Sequence, residues 1–95
     1  MKSLRSPVDR ALREVLAKAR EKAGLNQEDV ARRLGRRQPY ISKIETGERA
    51  GMYVPEFVAI AEAIGADAGK LLDEAIRLAK PNLPTKRPPR KRRRK

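Results

Sequence analysis

"LNQEDVARRLGRRQPYISKIETGER", residues 25–49, is the stretch whose reading decides the fold. Its pivot is Pro39. A proline lacks an N–H and fits only the first turn of a helix, and it biases the preceding Gln38 towards extended geometry. A new helix is therefore expected to begin at Gln38 or one residue either side. Ile41 and Ile44, three apart, point inward along it, which leaves Gln38, Pro39, Ser42 and Lys43 facing outward before Gly47 closes the helix. Such a helix is too polar to be core on all sides, so its outward residues are expected to meet a partner.

Upstream, Asn26 offers a side-chain oxygen to the start of another helix, and Glu28 and Asp29 place acids against its positive end. Val30, Ala31 and Leu34 form its short inner face, and Gly35 stops it after about two turns. Before Gly24, Val8, Leu12, Val15, Leu16 and Ala19 recur as one helical stripe. Downstream, a fourth helix is expected from near Pro55, burying Phe57, Val58, Ile60, Ala61 and Ile64 before Gly65. Asp67 can cap a fifth that carries Leu71, Leu72, Ile76 and Leu78 as core residues. The predicted fold is all-α, with five helices within residues 1–80. Residues 81–95 are predicted to be a separate basic tail. Their sequence, PNLPTKRPPRKRRRK, holds four prolines and eight positive charges, buries nothing, and is expected to be disordered or extended when free.

Composition narrows the function. The chain has 95 residues, no Cys and no His, which removes disulfides, cysteine-ligated zinc and the commonest general base. Its formal charge is +12, of which residues 1–80 carry +4, with 16 Lys and Arg against 12 Asp and Glu. The rest lies in the tail. This balance favours an anionic polymer as partner through long-range, salt-sensitive attraction. No apolar run approaches the ~20 residues of a membrane span, and MKSLRSPVDR lacks the apolar centre of a signal peptide, so the expected location is the cytoplasm, at the nucleoid.

Two short helices joined by a tight turn need a small residue where their backbones approach, a Gly at the turn and apolar anchors on the second helix. Ala31, Gly35, Ile41 and Ile44 supply these. With the Leu-Asn-Gln entry, the Ile-Ser-Lys-Ile-Glu run and the closing Gly, the chain resembles the phage-repressor-like (Xre-type) helix-turn-helix family over roughly residues 8–78. The resemblance implies a five-helix, lambda-repressor-like DNA-binding domain whose second motif helix lies in the major groove of double-stranded DNA. It places Gln38, Pro39, Ser42 and Lys43 at base edges, with Gln38 suited to adenine. Gln27 takes the phosphate-clamping position beside Gln38. Arg36, Arg37, Tyr40, Thr46 and Arg49 are expected to flank it on phosphates, although many relatives have an apolar or small residue at the position of Arg36. Glu45 is expected to turn inward to Arg20 as a scaffold ion pair. Arg32 and Arg33 are expected to solvate the outer face of their helix.

The function so implied is a sequence-specific transcription regulator, most simply a repressor, that binds a palindromic operator as a homodimer. The fifth helix and the loop before the fourth are the expected dimer surface. An alternative is an antitoxin of the same motif that neutralises a toxin through residues 50–80, whose net charge is −2, while repressing its own operon. A tail-driven nucleoid or RNA-binding protein is a third reading. Catalysis is not expected: Ser42 has no histidine to activate it and the carboxylates are scattered. No cofactor, metal or small-molecule ligand is implied.

Overall fold

The computed structural model describes residues 6–49 and 51–82. Five helices follow one another: α1 (Pro7–Lys22), α2 (Gln27–Arg33), α3 (Gln38–Thr46), α4 (Val54–Ile64) and α5 (Ala68–Ala79), with a 3-10 turn at Lys80–Asn82. The all-α, five-helix architecture expected from the sequence is what the structure shows, and the described residues contain no strand. No helix among them is long and apolar enough to cross a membrane. Residues 83–95, most of the expected tail, lie outside the described residues.

The starts and stops have local causes. Asn26 accepts from the Asp29 N–H at 2.7 Å, and the Asp29 carboxylate accepts from the Asn26 N–H at 2.9 Å, so two orphan donors at the head of α2 are satisfied reciprocally. Asp67 accepts from the Lys70 N–H at 3.1 Å and starts α5 in the same way. Ser6, which the sequence reading passed over, accepts from the Asp9 N–H at 3.0 Å and opens α1. Pro39 sits in the first turn of α3, behind an extended Arg37. Gly47 ends α3 with φ +82°, in the left-handed region.

The helices share one core. Leu16, Ile41, Val15 and Val30 are its most deeply buried large side chains, joined by Ile44, Phe57, Ile60 and Leu71. Full burial of a residue such as Leu16 or Ile41 stabilises the fold by about 1.5–3 kcal/mol. Ile41 and Ile44 put the inner face of α3 into this core, while Ala31 of α2, 1% exposed, lets the two motif helices approach.

The fifth helix departs from the sequence reading. Its buried stripe is Leu71, Ala75 and Ala79, four residues apart, whereas Leu72, Ile76 and Leu78 are 41%, 41% and 45% exposed. The two alanines carry almost no side chain, so α5 can lie close along α1, its most extensive partner. The larger apolar residues fall on the flanks of the stripe and are not core. Val58 of α4 is likewise only half buried.

Two charged residues are also buried. Asp9 and Arg13 of α1, each 8% exposed, pair at 3.1 Å. The Arg13 guanidinium lies against Gly47, so a cation stands at the C-terminal, negative end of α3.

Candidate nucleic-acid interface

The outward surface of α3 is built by the turn before it and by the anchors beneath it. Gln38, Pro39, Lys43 and Thr46 are exposed and Ser42 is half buried. The Thr46 hydroxyl turns back to donate to the Lys43 carbonyl at 3.4 Å. Arg36 and Arg37, in the turn, are exposed. Residues two apart on a helix lie about 200° round its axis, so Gln38 and Tyr40 project to opposite flanks of this surface. Each flank carries a polar cluster.

On the first flank a hydrogen-bonded chain runs from the interior to the surface. The Arg20 guanidinium donates to Glu45 at 2.7 Å through Nε and 3.0 Å through Nη2, and to the Leu25 carbonyl at 2.9 Å. Both side chains of the pair are 11% exposed. The Glu45 hydrogen bond, with its charge, holds Arg20 above its ordinary pKa against the opposing effect of burial. Glu45 Oε1 also accepts from Gln27 Nε2 at 2.8 Å, and Gln27 Oε1 accepts from Gln38 Nε2 at 2.6 Å. A carboxylate is only an acceptor, so Glu45 fixes which end of the Gln27 amide faces it, and Gln27 in turn fixes Gln38. The Gln38 carbonyl oxygen and its second N–H then stand side by side at the surface as an acceptor and a donor, the pairing an adenine edge would complement.

On the second flank Tyr40 is half buried, with Arg36 4.4 Å and Arg49 5.7 Å from its ring centroid. Its hydroxyl donates to Glu56 Oε2 at 2.9 Å, and Arg49 donates to the same carboxylate at 2.6 and 3.1 Å. Glu56 also accepts from the Tyr53 N–H at 3.2 Å, which specifies the start of α4 without a capping side chain at Tyr53. Burial pushes the Glu56 carboxyl up, but the hydrogen bonds from Arg49, Tyr40 and Tyr53 outweigh it and hold it below the ordinary value. Burial first, and then the bond to Glu56, raise the Tyr40 phenol.

The two flanks fare differently against the sequence reading. Gln27, Gln38, Glu45 and Arg20 come together as one unit. Arg49 and the Tyr40 hydroxyl, assigned to phosphates, are both held by Glu56, a residue that reading had left out. Its only sequence signal is its place three residues after Tyr53, where a capping-box acid belongs. Asp9 and Arg13 were missed as well. The outer face of α2 is exposed as expected: Arg32 pairs with Asp29 at 3.4 Å, while Arg33 donates to the Ala63 carbonyl at 2.7 Å and ties α2 to the end of α4.

Two short helices meeting across a Gly35 turn, the second anchored from below and polar above, define a helix-turn-helix unit of the DNA-binding class. Residues 11–75 match the family model for the helix-turn-helix domain, and the chain belongs to that family. Neither the curated proteins nor the solved structures yielded a match.

Proposed function

We propose that this protein is a sequence-specific transcription regulator that binds a palindromic operator as a homodimer and represses by occupying promoter DNA. The observation that carries the reading is the oriented Gln38 amide beside the exposed Pro39, Lys43 and half-buried Ser42, on a helix fixed from below by Ile41 and Ile44. Base edges are read by amides held in this manner, and Arg36 and Arg37 supply phosphate attraction in the turn before the helix. Duplexes selected from a random pool by the purified protein supply the specific site. Gln38→Ala is then expected to weaken that site by about 1–3 kcal/mol and relax preference at one position, while Arg37→Ala weakens selected and random duplex alike. Equal losses on both duplexes for Gln38→Ala would sink the base-reading role.

The dimer is inferred from an apolar strip formed by α5 and the head of α4. Val54, 73% exposed, and Leu72, 41% exposed, share one apolar cavity, and Ile76 follows Leu72 one helical turn along α5. Leu12, Met52, Phe57 and Val58 also line this shallow cavity of about 200 Å³. An exposed apolar strip of this kind supports an interaction surface there. Two such domains would put two α3 helices into successive major-groove faces about 34 Å apart. Ile76→Glu is expected to leave the helical content intact, make the protein monomeric in sedimentation, and reduce affinity for the palindromic site roughly 100-fold. A wild-type protein that sediments as a monomer with its site bound would remove the homodimer. A toxin-like chain captured through this strip, lost with Ile76→Glu, would favour the antitoxin reading.

A further inference from the structure

We propose that Glu56 sets how tightly this domain grips DNA, by holding Arg49 in an ion pair that a DNA phosphate must break. The inference rests on the reading of α3 as the groove-facing helix. It concerns the flank that this reading leaves unexplained, where a carboxylate stands in a surface otherwise suited to polyanions.

Glu56 uses both oxygens. Oε2 accepts from Tyr40 and Arg49, and Oε1 accepts from Arg49 and from the Tyr53 N–H. The Glu56 side chain is 19% exposed and that of Arg49 is 30% exposed, so the pair is held from within yet reachable from outside. Across the Tyr40 ring, Arg36 has no carboxylate partner among the described residues. Two guanidinium groups therefore share one aromatic ring, one neutralised and one not. The neutralised one lies three residues past the end of α3, on the segment that leads from α3 to α4.

A phosphate approaching this flank meets Arg36 first and is repelled by Glu56. Arg49 can contribute only by exchanging one anion for another. That exchange lowers affinity without touching base preference, because no base-facing side chain takes part. Glu56 is thus a positioning residue for Arg49: it organises Tyr40 and the head of α4, and it withholds one phosphate contact until DNA competes for it.

The test uses the full chain and two duplexes of equal length, one selected for binding and one random. In Glu56→Gln the amide oxygen still accepts from the Tyr53 N–H, and the amide nitrogen can donate to the Tyr40 oxygen, so the melting temperature is expected to stay close to wild type. Both duplexes are expected to bind about three- to tenfold more tightly, since a partly exposed ion pair is a modest competitor. The salt exponent is expected to stay close to wild type, because Arg49 neutralises the same phosphate in both proteins and only the cost of breaking the pair is gone. In an Arg49→Gln background the same change is expected to give no gain. Unchanged affinity in a folded Glu56→Gln variant would overturn the proposal, as would a gain that persists without Arg49. Should Glu56→Gln not fold, Arg49→Gln decides alone: a salt exponent equal to wild type means that Arg49 never reaches phosphate. A wild-type chain that binds neither duplex would overturn the DNA reading and this inference together. Wild-type binding weakened by Lys43→Ala, with Glu56→Gln inert, would overturn only the inference.

Discussion

The Glu45→Ala variant is expected to lose about 3 kcal/mol of folding stability, the low end of the cost of breaking a buried pair, because it leaves the largely covered Arg20 guanidinium without its close counter-charge. For a domain of this size that corresponds to a fall in melting temperature of about 12–24 °C. The loss has three parts. Arg20 loses a two-pronged partner at 2.7 and 3.0 Å. Gln27 loses the acceptor that orients it. The ends of α1 and α3 lose their cross-link beneath the interface. Arg20→Ala should cost less than Glu45→Ala, since Glu45 would keep Gln27 as a close donor whereas Arg20 would keep the Leu25 carbonyl and only a loose, exposed ion pair with Glu21 at 3.8 Å. Replacing both residues together, with Arg20→Met and Glu45→Leu, is expected to recover much of the stability, because no charge is then stranded. Thermal denaturation of the four proteins decides this. Single substitutions that melt within a few degrees of wild type would show that solvent already screens the pair. DNA binding must be compared well below each melting temperature, since an unfolded domain imitates a lost contact.

Gly47→Ala is the second large effect expected, about 3 kcal/mol from two sources. A left-handed backbone costs an L-residue roughly 1–2 kcal/mol, and Gly47 sits at φ +82°. The added Cβ would also run into the Arg13 guanidinium, which is buried and pinned by Asp9, and crowding of a packed interior costs roughly 1–3 kcal/mol. Gly35 is the internal comparison: its φ is +69°, but a Cβ there would meet nothing within 4 Å, so Gly35→Ala should carry the backbone cost alone. Denaturant melts of the two variants are expected to differ by at least about 1 kcal/mol, Gly47→Ala being the weaker. Equal losses would mean that Arg13 moves aside at no expense.

The motif itself was open to reading from residues 25–49. Asn26, Gly35, Pro39 and Gly47 each impose a local conformation, and local constraints survive without knowledge of the rest of the chain. What escaped depended on distance between elements. On α5, Leu72 and Ile76 are more apolar than Ala75 and Ala79, so hydrophobicity pointed to the wrong stripe. Only the closeness of α1 makes an alanine the better core residue. Asp9 and Arg13 have the spacing of an exposed helix pair, and nothing in that spacing reports that Arg13 packs against Gly47. Arg49 and Glu56 are seven residues apart across a loop, where no helical periodicity brings them together. At the interface, the inward turn of Glu45 and the Gln27–Gln38 pair followed from the motif, while the claim of Glu56 on Arg49 and Tyr40 had no such guide.

The hydrogen-bonded chain from Arg20 to Gln38 also constrains how this protein could acquire a new binding site. Because Glu45 keeps the Gln27 oxygen turned towards position 38, a replacement there that donates, such as Asn, Lys or Arg, inherits a ready acceptor. Gln38→Glu would instead set two oxygens against each other, and Gln27 could not flip to relieve them without breaking with Glu45. On the proposed reading of α3, drift at this position should therefore run towards purine-reading side chains and away from acids that seek the cytosine amine, so that the carboxylate of Glu45 would edit the repertoire of sites within evolutionary reach.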